Sequence, residues 1–143
     1  MASTGKTYDM SQSHKLGREA EALASRHLVS RGYRLLEQNW YFGKREVDII
    51  CTDEIYLVIV EVKAFNERTF PFIDEVVTRR QQRFLVETAE AYLRFHPWMD
   101  LKIRFDVILV TFCQGKGRLE HFEDQLKIKK QKSKIQNKHK SKQ

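Results

Sequence analysis

Three carboxylates and one lysine near the middle of the chain have the residue types and spacing that hydrolytic metal chemistry needs. Asp48 is followed after twelve residues by Glu61, Lys63 stands two positions beyond Glu61, and Glu46 stands two positions before Asp48. Carboxylates brought close together repel one another unless a cation lies between them, and that cation is either Lys63 or a divalent metal. Oxygen ligands without a neighbouring His or Cys favour a hard ion such as Mg²⁺ or Mn²⁺. A water on that ion can attack a phosphoryl group, while Lys63 orients the water and offsets the charge that develops.

Two neighbouring strands must bring these side chains together. Residues 45–52 alternate between apolar and polar types, which predicts a strand, and residues 56–64 begin apolar on both faces, as a central strand does. A hairpin that turns tightly between them places Glu46 opposite Glu61 and Asp48 diagonal to Glu61, at roughly 7–8 Å between Cα atoms. All four charged side chains then share one face, although a one-residue slip would turn Asp48 away.

The rest of the chain supplies two helices and further extended segments. The patterns predict a helix over residues 15–31, a short strand over 33–36, an aromatic-rich loop over 39–42, a second helix over 74–95, a strand over 102–112 and a short amphipathic piece over 119–126. The order is helix, three strands, helix, strand. This order predicts an α/β fold with one central mixed sheet flanked by helices.

Composition divides the 143 residues into one domain and two tails. The sequence predicts a flexible N-terminus over residues 1–13, a single domain over 14–126 and a disordered tail over 127–143. That tail holds eight lysines and no acid, so it accounts for the formal net charge of +7. A solubilising end and a salt-sensitive tether for nucleic acid are both consistent with it, and anionic membrane surfaces are a lesser third option.

Several protein classes are excluded by the same composition. The longest apolar run is far shorter than the ~20 residues that span a bilayer, so no membrane association through a span is expected. The first residues lack an apolar segment of signal-peptide type, which predicts a cytoplasmic protein. Cys51 and Cys113 both fall in strand-like runs, which predicts buried free thiols rather than a disulfide.

For the basic and the aromatic residues outside the four-residue cluster, two interpretations are each consistent with the sequence. Arg79, Arg80 and Arg83 cluster at helical spacing and would hold a phosphate backbone, or would form an ordinary solvated helix face. The aromatic run at residues 40–42 would stack on unpaired bases, although core packing is the more common role of such residues. A structural ion pair is expected between Arg104 and Asp106.

The sequence also resembles a known family in residues spread over roughly positions 14–124. Asp48, with Glu61-Val62-Lys63 twelve residues later, resembles the PD-(D/E)XK nuclease motif, and the element order resembles the restriction-endonuclease-like αβββαβ core. A closer resemblance, to the YraN-like family of uncharacterised bacterial proteins, rests on these residues: Gly17, Glu21, Ala24, Gly32-Tyr33, Asn39, Glu46-Val47-Asp48-Ile49-Ile50, Val60-Glu61-Val62-Lys63 and Arg104-Phe105-Asp106-Val107. That family is similar to archaeal Holliday-junction resolvases.

The resemblance implies a role for each site residue. Asp48 and Glu61 would be the metal ligands, Lys63 the catalytic lysine, and Glu21 a further carboxylate contributed by the first helix. The chain departs from the usual pattern at three positions: Val47 replaces the Pro of the motif, Arg45 replaces a usual Gly and Phe65 replaces a usual Arg.

These observations predict a nuclease that depends on Mg²⁺ or Mn²⁺ and acts on DNA rather than RNA, with branched or nicked DNA as its substrate. A non-catalytic nucleic-acid-binding module, using the basic tail and the three arginines on the second helix, is the alternative. A protein-interaction domain is a third hypothesis. Resolvase-like cutting of two strands would require a symmetric homodimer, although no dimer surface is legible in the sequence.

Overall fold

A computed structural model describes residues 10–66 and 78–125 of the chain. Within those residues it contains two helices and five strands in this order: α1 Met10–Ser30, β1 Arg34–Phe42, β2 Arg45–Thr52, β3 Tyr56–Asn66, α2 Arg79–Phe95, β4 Lys102–Cys113 and β5 Lys116–Phe122. The predicted Lys-rich tail, most of the predicted flexible N-terminus and the first residues of the predicted second helix lie outside the described residues. Neither described helix is long and apolar enough to cross a membrane.

The five strands form one mixed sheet in the order β1-β2-β3-β4-β5. β3 and β4 pair in parallel, and every other neighbouring pair is antiparallel. The parallel pair is possible because the connection between β3 and β4 includes α2, which brings the chain back to the end of the sheet at which β3 begins. The predicted α/β fold with a central mixed sheet is therefore confirmed.

Each face of the sheet is covered by one helix. On one face Ala20, Ala24 and Leu28 of α1 pack with inward residues of β2, β3 and β4, and all three are essentially inaccessible to solvent. On the other face the buried residues of α2, including Leu85 and Tyr92, pack against the alternate residues of the same strands. Continuous burial of both faces explains why β3 begins as an unbroken apolar run.

Two predicted segments have a different structure. The predicted loop at residues 39–42 is wrong, because β1 continues through it to Phe42 and pairs with β2 as far as Arg45. Trp40 and Phe42 stack with parallel ring planes and contact the α2 face, so aromatic packing extends the strand. The amphipathic piece near the C-terminus is the strand β5, which pairs with β4 through Phe122.

Other element boundaries follow the patterns more closely. β2 spans the predicted residues, and α1 begins earlier than predicted, at Met10. α2 begins at Arg79, after its extended N-cap Thr78 and later than predicted, and it ends before Pro97, as expected, with His96 as its C-cap. Cys51 is a buried free thiol as predicted, but the prediction of burial is wrong for Cys113, which is exposed at the end of β4.

Candidate functional site

The paired portion of β2 and β3 is shorter than either strand, and the two strands separate at its end. Pairing runs from Thr52 opposite Leu57 to Ile49 opposite Val60 and stops there. The predicted register is therefore wrong by two residues. Continuing the observed register places Asp48, rather than Glu46, opposite Glu61. A shift of two preserves the strand face, so the acids remain neighbours.

The turn between the two strands explains the shift. It is longer than the predicted tight turn, because the Asp53 carboxylate accepts the backbone N–H groups of both Ile55 and Tyr56, at 3.1 and 2.8 Å. Glu54 has a φ of 86°, and the Thr52 hydroxyl donates to the Tyr56 carbonyl at 2.8 Å. Side-chain hydrogen bonds therefore fix a turn whose length apolar alternation cannot reveal.

Asp48 occupies the point at which the strands separate, which we call the fork. In a regular ladder the Val62 N–H would pair with the main chain of Val47, but it donates to Asp48 Oδ2 at 2.7 Å instead. The carboxylate thus takes the place of a main-chain acceptor between the strands. Because its partner is a backbone amide, the position of Asp48 is tied to the sheet itself.

Electrostatics at the fork disfavour the ionised form of Asp48. Burial is the main cause, and the negative charge of Glu61 adds to it, raising the pKa of Asp48 to about 7. Glu21 raises the same pKa further, while the Val62 amide and the Lys63 ammonium oppose the increase. Two conclusions follow: all three charged neighbours are electrostatically close to Asp48, and the negative charge of the cluster is incompletely compensated.

Glu61 and Lys63 project from the free end of β3 beyond the last pair with β2. The Lys63 Nζ lies 3.0 Å from Glu61 Oε2, and the exposed fractions of the two side chains are 33% and 17%. An ion pair that remains this accessible leaves room for a water or a phosphate beside it. The predicted candidate cation therefore lies at the site, paired with one of the two predicted metal ligands.

Glu21 reaches the same region from α1. Its carboxylate accepts a hydrogen bond from Asn39 Nδ2 at 3.2 Å. Asn39 has a φ of 51°, a backbone conformation that Asn tolerates better than most residues and that interrupts the alternation of β1 next to Asp48. Asn39 is among the residues of the family resemblance, but its contact with Glu21 was not predicted.

Glu46 lies beside the fork rather than within it. A cavity of about 230 Å³ opens there, and it is lined by Arg45, Glu46, Glu61, Gln81, Phe84 and Leu85. Glu46 itself is exposed and makes no ion pair among the described residues. The structure thus brings four of the predicted residues together at the fork and places the fifth, Glu46, on the wall of this cavity. The roles predicted for all five remain predictions.

The donors at the fork fit a hard divalent ion that keeps several of its own waters. Within the described ranges no three His, Cys, Asp or Glu side chains converge tightly enough to hold a metal between them as they stand. Two neighbouring carboxylates, one of them half-buried with a raised pKa, would supply a partial oxygen shell of the kind that Mg²⁺ uses. A cation bound there would replace the proton that Asp48 otherwise retains.

The predicted basic cluster lies at the beginning of α2. Arg79, Arg80 and Arg83 are all exposed, and none of them lines the cavity. Thr78 caps this helix, since its hydroxyl accepts the Gln81 N–H while the Gln81 side chain accepts the Thr78 N–H. No acid stands in the first turn of this helix.

A second polar cluster has a structural role. Arg104 donates twice to Asp106, at 2.9 and 2.8 Å, and Asp106 also accepts from His121 and from the Asp124 N–H. The Arg104 side chain also bonds the Tyr33 hydroxyl. The predicted Arg104–Asp106 ion pair is confirmed. The remaining partners come from distant parts of the chain, and their contacts with this pair were not predicted.

The charge state of Asp48 gives a testable effect on stability. The carboxylate has a pKa of 3.8 in its usual state and about 7 in the fold, so the folded state binds more protons than the unfolded state between these values. Stability is then lost as the pH rises through this window. Asp48→Asn keeps an oxygen for the Val62 amide but carries no charge. In EDTA at pH 8, urea unfolding should show that the free energy of unfolding of Asp48→Asn exceeds that of wild type by on the order of 2 kcal/mol after solvent screening. At pH 4 the two proteins should have the same free energy of unfolding. A variant that is less stable at pH 8 would contradict the electrostatic account.

The fold and the fork together define the class: an α/β protein with the restriction-endonuclease-like element order, with two acids and a lysine where the central strands separate. The family follows from comparison of sequences. The model of the uncharacterised protein family UPF0102 matches residues 20–110. The chain belongs to this family, as its resemblance to YraN-like proteins led us to expect.

Relatives from several bacteria cover most of the chain. A UPF0102 protein of Anaeromyxobacter dehalogenans is 40% identical over 107 residues, which is 75% of this chain and 80% of the relative. One from Porphyromonas gingivalis is 37% identical over 80% of this chain and 86% of its own length. One from Flavobacterium psychrophilum is 38% identical over 80% of this chain and 96% of its own length. The family carries no characterised activity, so function has to be argued from the site.

Proposed function

We propose that the protein is a divalent-metal-dependent nuclease that hydrolyses phosphodiester bonds in DNA, with branched or nicked DNA as its substrate. The observation that carries the proposal is the Asp48 carboxylate, which is held at the strand fork beside Glu61 with its pKa raised to about 7. A carboxylate held here with a raised pKa costs folding stability, and a bound cation would offset that cost. We place the protein in the cytoplasm, where chromosomal DNA would be its substrate.

Each residue of the site has a chemical task in this proposal. Asp48 and Glu61 would hold the Mg²⁺ or Mn²⁺ ion, which supplies a polarised phosphoryl oxygen and a water of lowered pKa. The Lys63 ammonium, 3.0 Å from Glu61, orients the attacking water and offsets charge on the phosphate. Glu21, held by Asn39, and Glu46, on the cavity wall, add negative charge around the ion.

Cleavage of end-labelled DNA tests this proposal. Duplex, nicked duplex, single strand and four-way junction are incubated with Mg²⁺, Mn²⁺ or EDTA. We expect cleavage that needs the metal and that falls by at least about a hundredfold in Asp48→Asn. Asp100→Asn, which changes an exposed acid on the loop before β4, is the matched control and should cleave as wild type does. Cleavage that persists in Asp48→Asn would overturn the assignment.

The alternative function is nucleic-acid binding without catalysis. The observation in its favour is the exposed arginine cluster at the start of α2, where no acid stands in the first turn. The Lys-rich tail would add charge to it, although residues 126–143 lie outside the described part of the chain. This module would bind DNA equally well in EDTA and would cleave none of the four substrates.

The arginine cluster gives a salt-dependent prediction under either function. If its three members each contact a phosphate, replacing all three with alanine should lower the slope of log affinity against log salt by roughly three. Fluorescence anisotropy with a labelled duplex between 50 and 200 mM salt (about the range over which such binding weakens steeply) measures this slope. The matched control replaces three exposed arginines elsewhere: Arg26, Arg31 and Arg34. An equal loss of slope in both triple variants would contradict a localised contact.

A further inference from the structure

The cavity beside the fork has walls of two kinds. Phe84 and Leu85 are its apolar lining residues, and Arg45, Glu46, Glu61 and Gln81 are its polar ones. Its volume of about 230 Å³ lies below the ~300 Å³ at which pockets for drug-sized ligands begin, so it suits a one- or two-ring heterocycle and is too small for a peptide or a sugar chain. Since Glu61 is also the proposed metal ligand, whatever enters the cavity lies next to the reacting phosphate.

The charges on the wall disfavour a phosphate as the occupant. Two carboxylates line the cavity against one guanidinium, and the Lys63 ammonium is already paired with Glu61, so the lining carries no surplus positive charge that would attract an anion. The Arg45 guanidinium carbon lies over the Phe84 ring, 4.8 Å from its centre, in a cation–π contact. Flat surfaces of this kind, aromatic rings and arginine planes, are what proteins use to stack unpaired nucleobases.

Hydrogen-bonding groups on the wall limit which base would fit. An ionised carboxylate such as Glu46 only accepts, so it would pair with an exocyclic amine and repel a carbonyl. The Gln81 side-chain oxygen is already occupied by Thr78, which leaves its amide NH₂ as the group that can donate to a ring nitrogen or carbonyl. The Glu46 acceptor together with the Gln81 donor matches the edge of cytosine and other amine-bearing bases better than that of thymine.

We propose that this cavity binds one unpaired, amine-bearing nucleobase next to the cleaved phosphate, so that the substrate is DNA with an unpaired nucleotide. The position of the base next to a cleaved phosphate rests on the proposed nuclease function. Binding of the base itself does not depend on cleavage. A fully paired duplex presents a base to the cavity only after that base is unpaired and unstacked, so an already unpaired nucleotide is favoured.

Binding without cleavage tests the inference. The full chain is titrated, in EDTA, against fluorescein-labelled duplexes that carry at one central position an unpaired cytosine, an unpaired thymine or an abasic linker, or that are fully paired. We expect wild type to bind the unpaired cytosine about tenfold more tightly than the abasic duplex, with thymine between them. Equal affinity for the cytosine and abasic duplexes would overturn the inference, even if the protein proves to cleave DNA.

Two variants locate the effect in the cavity. Arg45→Ala removes the exposed guanidinium, and Gln81→Glu keeps an acceptor for the Thr78 cap while replacing the donor with an acid. Both should reduce the cytosine-to-abasic affinity ratio to near one, and a lost phosphate contact would not change that ratio. Arg94→Ala, an exposed arginine at the other end of α2, is the control and should keep the ratio. If both cavity variants keep the wild-type cytosine-to-abasic affinity ratio, the preference for the base arises at another surface and the inference is overturned. Thermal melts followed by circular dichroism confirm that each variant is folded.

Discussion

Replacing Lys63 with methionine is expected to reduce DNA cleavage by about two to three orders of magnitude. The ammonium forms the ion pair with Glu61, and without it the charge that develops on a phosphate at the fork would lose a compensating cation. Methionine has similar length and no charge, and a side chain that is one-third exposed can be exchanged with little effect on packing. Single-turnover cleavage of labelled junction DNA, with saturating protein and Mg²⁺, measures the loss.

The control for this prediction is Lys102→Met, which removes an exposed lysine from the beginning of β4. It should cleave at the wild-type rate. Titration with Mn²⁺ separates an effect of Lys63 on metal binding from an effect on cleavage. Loss of a positive charge near two carboxylates should preserve or strengthen metal binding, while cleavage falls. Cleavage by Lys63→Met within threefold of wild type would contradict the proposed role of the ammonium.

Replacing Asp106 with alanine is expected to destabilise the fold by about 3–5 kcal/mol. Asp106 is fully buried, and Arg104 retains only 8% of its side-chain exposure, so removal of the carboxylate leaves a guanidinium charge without its main partner. His121 and the Asp124 N–H lose their acceptor as well. Urea unfolding at pH 7 measures the change, and Asp100→Ala, at an exposed position, should lie within about 0.5 kcal/mol of wild type.

The pH dependence gives an independent check on the same cluster. Burial alone would raise the pKa of Asp106, but hydrogen bonds from His121 and Arg104 outweigh it and hold the pKa below 3.8. Such a group contributes stability above the unfolded pKa, and that stability is lost as the pH falls through the folded value. Wild type should therefore lose more stability than Asp106→Ala below about pH 4. Parallel losses in the two proteins would contradict this ionisation state.

The sequence predicted the faces of the strands better than their pairing. Alternation in residues 45–52 and the apolar start of residues 56–64 identify the two strands correctly, because burial of both sheet faces requires apolar residues at the buried positions. The register depends on the turn between them, where Asp53 and Thr52 side chains bond the main chain. No periodicity in hydrophobicity encodes those bonds, and the predicted register was wrong by two residues for that reason.

The candidate site could be predicted as a set of residues but not as a geometry. Glu61 and Lys63 stand out because charges end an otherwise apolar strand, and Glu21 came only through the family resemblance. The hydrogen bond from the Val62 N–H to Asp48 arises because the strands separate, and a pattern that assumes regular pairing cannot reveal it. Gln81 and Phe84 join the cavity through the packing of α2, which lies far along the chain.

Mn²⁺ binding at pH 8 tests the central claim most directly. Isothermal titration calorimetry of wild type, Asp48→Asn and Glu61→Gln counts the ions bound and measures their affinity. We predict one site in wild type, a loss of at least about tenfold in affinity in each variant, and weaker wild-type binding below pH 7, where a proton competes for Asp48. Equal Mn²⁺ affinity in the three proteins would contradict a cation site built on these two carboxylates.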